Sequence, residues 1–351
     1  MYRKTLKISI LFIYLIIIAG AVVRMTGSGM GCPDWPKCFG YLIPPTEESE
    51  LIWEAQRDYK SGQVIIVNEA LRVAEHDFTS GTTYSPENWE AYEAHDYAVF
   101  NVWHTWIEYV NRLITALAGI PILLMIYFSF SFWRGYPKKI VASFSVLLLM
   151  GFQSWLGKEV VDSNLLPVKI TIHMVVALFI LALLMYLWFV AREKEEGIVK
   201  HTKRTRYYGL FQNLIIIATL LTVIQIAFGT QVRQYIDNRV DEVGYAAKEL
   251  WLTPMTIWFY IHRSFSILVS LLGIYLFWLN KKHRLGYPLI NWVLICIGVE
   301  AFSGIIMYYV DFPFGSQPLH LVIASLLFGI QFYVLLESWW KTKQVSMMSN
   351  A

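Results

Sequence analysis

Two stretches of this chain keep polar groups that a lipid-facing helix would not: Trp103–Gly119 (WHTWIEYVNRLITALAG) and Pro254–Gly273 (PMTIWFYIHRSFSILVSLLG). In the first, His104, Glu108, Asn111 and Arg112 fall at offsets of four, seven and eight residues. At about 100° per residue they share one stripe of a helix. In the second, His262-Arg263 stands where the first has Asn111-Arg112. Ionisable groups inside a membrane segment are costly and point to function. Four of the eight histidines, His104, His173, His262 and His320, lie near the same end of an apolar segment, and Arg24, Arg112, Arg233 and Arg263 stand at that level too. Histidines on facing helices can hold haem iron from both sides, and an arginine fork suits the propionate carboxylates at a partly desolvated site. Zinc fits less well, because no cysteine joins the set and no HExxH spacing occurs. Two plainer readings compete: histidines that only pack, and Arg24 and Arg233 that only snorkel to the interface. The other four histidines (His76 and His95 in an acidic stretch, His201 and His283 among Lys and Arg) read as surface residues.

The elements that must position these groups follow from composition. Of 351 residues 56% are hydrophobic, and apolar runs occur at about 6–23, 103–132, 139–157, 168–190, 209–229, 255–280, 286–306 and 317–340. Runs of this length cross about 30 Å of hydrocarbon. The expected fold class is therefore an all-α integral membrane protein with eight transmembrane helices. Segments on the side of the N-terminus hold 17 Lys and Arg against three acids, and those on the other side hold 10 against 20. The positive-inside rule places both termini in the cytoplasm. Basic inner loops need no nucleic-acid partner. The first run resembles a secretory signal, but Gly20–Arg24 (GAVVR) recurs as Gly229–Arg233 (GTQVR), so it reads as a retained helix.

That recurrence belongs to a repeat. Arg24 pairs with Arg233, Asn111-Arg112 with His262-Arg263, and His173 with His320; Gln153 and Glu300 each stand twenty residues before the last of these histidines. The halves, 1–208 and 209–351, are expected to form two pseudo-symmetric four-helix bundles about an axis along the membrane normal. An excess of 58 residues lies in the outer loop 25–102, between Arg24 and Asn111. There Cys32 and Cys38 read as a disulfide in an oxidising compartment, with two free thiols as the alternative. Cys296 reads as a packing residue. Residues 41–100 carry twelve acids and three bases, a solvated acidic cap or a site for a basic redox protein; Glu48–Tyr59 and Val64–Glu75 are expected as short amphipathic helices. Lys158–Pro167 and Thr230–Thr253 read as the remaining outer connections.

The chain resembles the haem A synthase family. The residues that carry the resemblance are Gly20–Gly29 (GAVVRMTGSG), Cys32–Cys38 (CPDWPKC), Glu108–Arg112 (EYVNR), Leu156–Val161, Pro167 with Ile172–Met174, Ile261–Arg263, and Pro318–His320 through Leu326–Gly329. It covers nearly the whole chain apart from 41–100. The resemblance implies a b-type haem between His262 and His320 in the second half. It implies haem O as substrate in the first half, its ring methyl oxidised to the formyl of haem A in a bacterial cytoplasmic membrane. It further implies a redox partner such as a quinol or a redox protein, and a haem O synthase upstream. The family has Glu-x-x-His-Arg where this chain has Glu108-x-x-Asn111-Arg112. His173 remains as one ligand. His104 could replace the other, though it lies about 10 Å away along the helix; Asn111 could leave the iron five-coordinate, the favoured reading; or the site could be inactive. Glu108 is expected to stabilise developing positive charge or relay protons, with an ion pair to Arg112 as the structural alternative. A transmembrane cytochrome b that only moves electrons, or a haem carrier without catalysis, is the competing class.

Overall fold

The computed structural model describes residues 1–94, 98–196 and 205–349. His95, His201 and the centre of the charged segment Ala191–Tyr208 lie outside the described residues. Among the described residues, eight helices are long and apolar enough to cross a membrane. They are α1 (Tyr2–Met25), α2 (Val102–Ser129), α3 (Pro137–Asp162), α4 (Pro167–Glu196), α5 (Gly209–Val243), α6 (Ile257–Lys282), α7 (Ile290–Tyr309) and α8 (Ser316–Ser349). The shortest, α7, has 20 residues, about 30 Å at 1.5 Å per residue. Prolines open α3 and α4, where a missing N–H leaves no helical bond unmade. Asn101 starts α2, its side-chain oxygen accepting from the Trp103 and His104 amides.

α1 packs on α2 and α4, α2 on α3, and α3 on α4; α5 packs on α6 and α8, α6 on α7, and α7 on α8. One apolar core gathers Leu6, Ile122, Met125, Val146, Leu181 and Leu184 from the first four helices. A second gathers Phe211, Ile215, Leu276, Ile290, Val293 and Val334. Cys296 is a free, buried thiol within it, a small packing residue as expected. α8 and α4 cross between the groups, α8 touching α1 and α4, and α4 touching α5.

On the side that carries the long loop, α3 and α5 outrun their apolar runs furthest. α3 continues to Asp162, and α5 does not stop at 229 but extends to Val243, ending at Gly244 with φ 85°. The expected connection 230–253 is thus largely helix. Its polar-looking sequence still has an apolar face: Ile236 and Val240 are buried against Trp251 and Phe312.

The long loop after α1 corrects a second expectation. Val64–Glu75 is not a helix but a hairpin of β2 (Val64–Val67) and β3 (Ala70–Ala74), with Val64 opposite Val73 and Val67 opposite Ala70. Asn68 and Glu69 both take positive φ, 51° and 59°, the two-residue turn whose twist matches paired strands. β5 (Trp89–Ala91) pairs with β3 to complete a three-stranded sheet, and β1 (Asp58–Tyr59) pairs with β4 (Phe78–Thr79). Glu48–Tyr59 holds only a short 3-10 turn, Glu48–Leu51, before β1. The β-branched run Val64–Val67 is too short for a stable helix but suits a strand, and Ala70–Ala74 pairs with it across the turn.

Candidate functional site

A single cavity of about 2020 Å³ runs through the loop-bearing half of the helices and is lined from both halves of the chain. That exceeds the roughly 300–1,000 Å³ of an ordinary small-molecule site. His104, His173, His262 and His320 line it, as do Asn111, Glu108 and all four arginines Arg24, Arg112, Arg233 and Arg263.

In the second half the His262 and His320 rings face each other with centroids 6.2 Å apart. Imidazole nitrogens about 2 Å from a shared metal on opposite sides put ring centroids about 6 Å apart. Among the described residues no group of three or more His, Cys, Asp or Glu could hold a metal ion. Two facing imidazoles without further donors suit a metal that brings its other ligands in a macrocycle. Ser303 Oγ donates to the Glu300 carbonyl (3.0 Å), so it accepts from His320 Nδ1 (2.8 Å), and Glu300 Oε2 lies 3.2 Å from the same nitrogen. These partners put the ring proton on Nδ1 and leave Nε2 free to ligate, the usual support for a metal-binding histidine. Glu300, ambiguous in sequence, is therefore a partner of His320. Gln225 Nε2 donates to the His262 carbonyl (3.0 Å), and Gln153 Nε2 to that of His173 (2.8 Å).

Each of the four ring positions lies against a glycine of the preceding helix. A methyl added at Gly229 would stand 3.1 Å from His262 Cε1, at Gly304 3.8 Å from His320 Cε1, at Gly157 3.5 Å from His173 Cε1, and at Gly20 4.0 Å from Asn111 Oδ1. Glycine permits the helix backbone to approach that closely. Gly229 and Gly20 are equivalent in the repeat, as are Gly304 and Gly157.

On α2 the polar stripe docks the disulfide loop. Cys32 and Cys38 are bonded. Gly31 meets α2 backbone to backbone, since a methyl there would lie 2.4 Å from the His104 carbonyl oxygen. Thr105 Oγ donates to the Gly31 carbonyl (2.8 Å), and the Cys32 amide donates to Glu108 Oε2 (2.8 Å). Arg112 donates to the carbonyls of Cys32, Asp34 and Lys37 and to Glu108 Oε1. Glu108, only 4% exposed, has both oxygens satisfied, and Arg112 is committed to the loop. Asp34 accepts from the Phe39 and Gly40 amides; burial pushes its carboxyl above the usual range despite those donors and Arg112.

Arg24 and Arg233 meet at one carboxylate. Asp237 Oδ2 accepts from Arg24 Nη2 (2.9 Å) and Oδ1 pairs with Arg233 Nη2 (2.6 Å), which also donates to the Arg24 carbonyl (2.7 Å). Sequence reasoning missed Asp237. Its signal was the i,i+4 spacing from Arg233, hidden because that segment read as a loop. Arg263 is exposed and lies over the Phe259 and Tyr260 rings.

A family model described as cytochrome oxidase assembly protein matches residues 3–79 and 80–332. Proteins called heme A synthase in Wolbachia pipientis subsp. Culex pipiens (strain wPip) and Ehrlichia canis (strain Jake) are 26% and 24% identical. They align over 93% and 92% of this chain and 94% and 89% of their own lengths. A heme A synthase of Shewanella oneidensis is 29% identical over 54% of this chain and 45% of its own length. The chain belongs to the cytochrome oxidase assembly protein family.

Proposed function

We propose that this chain is a haem A synthase: a membrane oxidoreductase that converts the ring methyl of haem O to the formyl group of haem A. The observation that carries the reading is one cavity in which the facing His262–His320 pair shares space with His173, in a chain of this family. His262 and His320 would hold a b-type haem, and when bound this group supplies one-electron exchange with an external quinol or redox protein. His173 would ligate the iron of the substrate, haem O. On this reading 1–208 is the substrate bundle and 209–351 the cofactor bundle. The charge asymmetry supports a bacterial cytoplasmic membrane with both termini inside.

The chain's own residues bind, orient and shield. Gly20, Gly157, Gly229 and Gly304 bring helix backbones close beside the ring positions. Arg24, Arg233 and Arg263, at the cavity wall, are the guanidiniums placed to face propionates, Arg24 and Arg233 by exchanging part of their bonding to Asp237. Arg112 and Glu108 seat the disulfide loop at the cavity wall; Glu108 is also the carboxylate that would balance positive charge developing on a bound substrate.

The test is extraction and chromatography of haems from protein purified after co-expression with a haem O source. Haem A beside haem B is expected. Haem B alone, with haem O available, would overturn the synthase reading in favour of an electron-transfer cytochrome.

A further inference from the structure

We infer that Asn111 leaves one axial face of the substrate iron without a protein ligand: His173 alone holds the metal, and the Asn111 carboxamide faces the exchangeable sixth position. This rests on the reading that the first half binds haem O, and it concerns a residue at which the chain departs from its own repeat.

Four glycine-backed positions frame the cavity, three occupied by imidazoles and the fourth by Asn111. The backbone at the fourth is prepared as at the others. The Gly20 notch leaves 4.0 Å to the amide oxygen, and Asn111 lies within the continuous helix α2. Only the donor has changed. An amide oxygen is a hard, weak ligand for haem iron beside an imidazole nitrogen. The side chain offers an N–H₂ donor and a carbonyl acceptor instead. Asn111 Oδ1 is buried and has no hydrogen-bond partner among the described residues, a state that buried polar atoms seldom keep. Water on the iron would donate to that oxygen, whereas a diatomic ligand would accept from the amide's N–H₂ group.

No other histidine closes the face. Those lining the cavity are His104, His173, His262 and His320. His104 stands seven residues before Asn111, about 10 Å along α2. Met150 and Met174 lie on α3 and α4, the helices that carry Gln153 and His173, and Met25 Sδ accepts from the Gly315 amide. Met307 lies on α7 in the second half, which leaves Met30, also at the cavity wall, as the soft donor to test.

The experiment uses the full chain purified with haem O bound, read by electron paramagnetic resonance of the ferric form and carbon monoxide binding of the ferrous form. Wild type is expected to show one low-spin haem and one high-spin haem that takes up carbon monoxide. Asn111→His is expected to convert the second to low spin and abolish its carbon monoxide uptake at unchanged haem content. Asn111→Ala, which adds no ring to fit, is expected to remain high-spin while the stretching frequency of bound carbon monoxide shifts. Two bound haems that are both low-spin in wild type, from His104 or Met30 ligation, would overturn the inference while leaving the function intact. So would an unchanged stretching frequency in Asn111→Ala. Failure of any variant to hold a second haem would overturn the substrate-site reading itself, and this inference with it.

Discussion

Gly229→Ala isolates the role of the glycine notches, because Gly304→Ala makes the same chemical change with different clearance. Inside a helix, glycine to alanine favours the fold by about 1 kcal/mol. At Gly304 the new methyl meets His320 Cε1 at 3.8 Å, within the optimum of about 3.5–4.0 Å. That variant should be neutral or more stable by up to about 1 kcal/mol. At Gly229 the methyl meets His262 at 3.1 Å (Cε1), 3.6 Å (Nδ1) and 3.9 Å (Nε2), so the ring must retreat by about half an ångström to regain an ordinary contact. The backbone cannot easily follow, since Gln225 holds the His262 carbonyl. With an iron fixing the ring, the clash costs about 1–3 kcal/mol, or roughly 5- to 150-fold in haem retention. The assay is the rate of haem transfer from each purified variant to excess apomyoglobin, with thermal unfolding in parallel. Faster loss in Gly229→Ala alone is expected. Equal retention in both variants would refute the claim that His262 ligates through a ring pressed against Gly229.

Three further outcomes test the remaining structure. Glu108→Gln keeps an acceptor for the Cys32 amide but loses the charge-assisted bond to Arg112, costing about 1.5–3 kcal/mol in thermal unfolding; a normal haem A yield from the folded variant would remove any chemical role for the carboxylate. Asp237→Asn leaves the Arg24 and Arg233 guanidiniums, 22% and 17% exposed, without a common counter-charge. Stability should fall by about 1–3 kcal/mol, and unchanged unfolding would show that the bridge between α1 and α5 holds nothing. Glu69→Gly should stabilise the hairpin by up to about 1 kcal/mol, because relieving a left-handed side chain at φ 59° gains about 1–2 kcal/mol against roughly 0.5–1 kcal/mol of added chain entropy; destabilisation measured by denaturant unfolding would contradict the turn.

The eight spans were legible because a membrane helix must satisfy its backbone internally and present a long apolar run, a constraint that leaves little ambiguity. His173, His262, His320 and Asn111 were legible as a set because the repeat preserves their order, whereas His104 has no counterpart in it. Ends were less so. α5 continues through Gln231–Val243 because Ile236 and Val240 find Trp251 and Phe312, a tertiary contact that no window of hydropathy contains. With α5 cut short, Asp237 fell in a loop, and Arg24 and Arg233 read as propionate partners or snorkelling side chains with no carboxylate between them. The hairpin was not legible from apolar spacing, and its signal was Asn68-Glu69 directly after the β-branched run Val64–Val67. The glycine notches could not be read as such, since glycine is frequent in membrane helices for many reasons.

On the proposed assignment the two halves use the same backbone plan with different grips, and the difference would follow what each must hold. His320 gives its Nδ1 proton to Ser303 and Glu300, an arrangement that raises the ring's basicity and fixes its orientation. At the matching places the first half has Leu156 and Gln153. Gln153 reaches the His173 carbonyl rather than the ring, and His173 Nδ1 has no hydrogen-bond partner among the described residues. Across the cavity, His262 is matched by Asn111. On the proposed assignment the first half would give up ligand strength at both positions, although His262 Nδ1, like that of His173, has no hydrogen-bond partner among the described residues. A resident cofactor would gain from the added constraint at His320, because nothing requires it to leave. A substrate that must depart as product would be released faster if the same frame held it by one unreinforced imidazole, and an open axial face is what that weaker grip would leave behind.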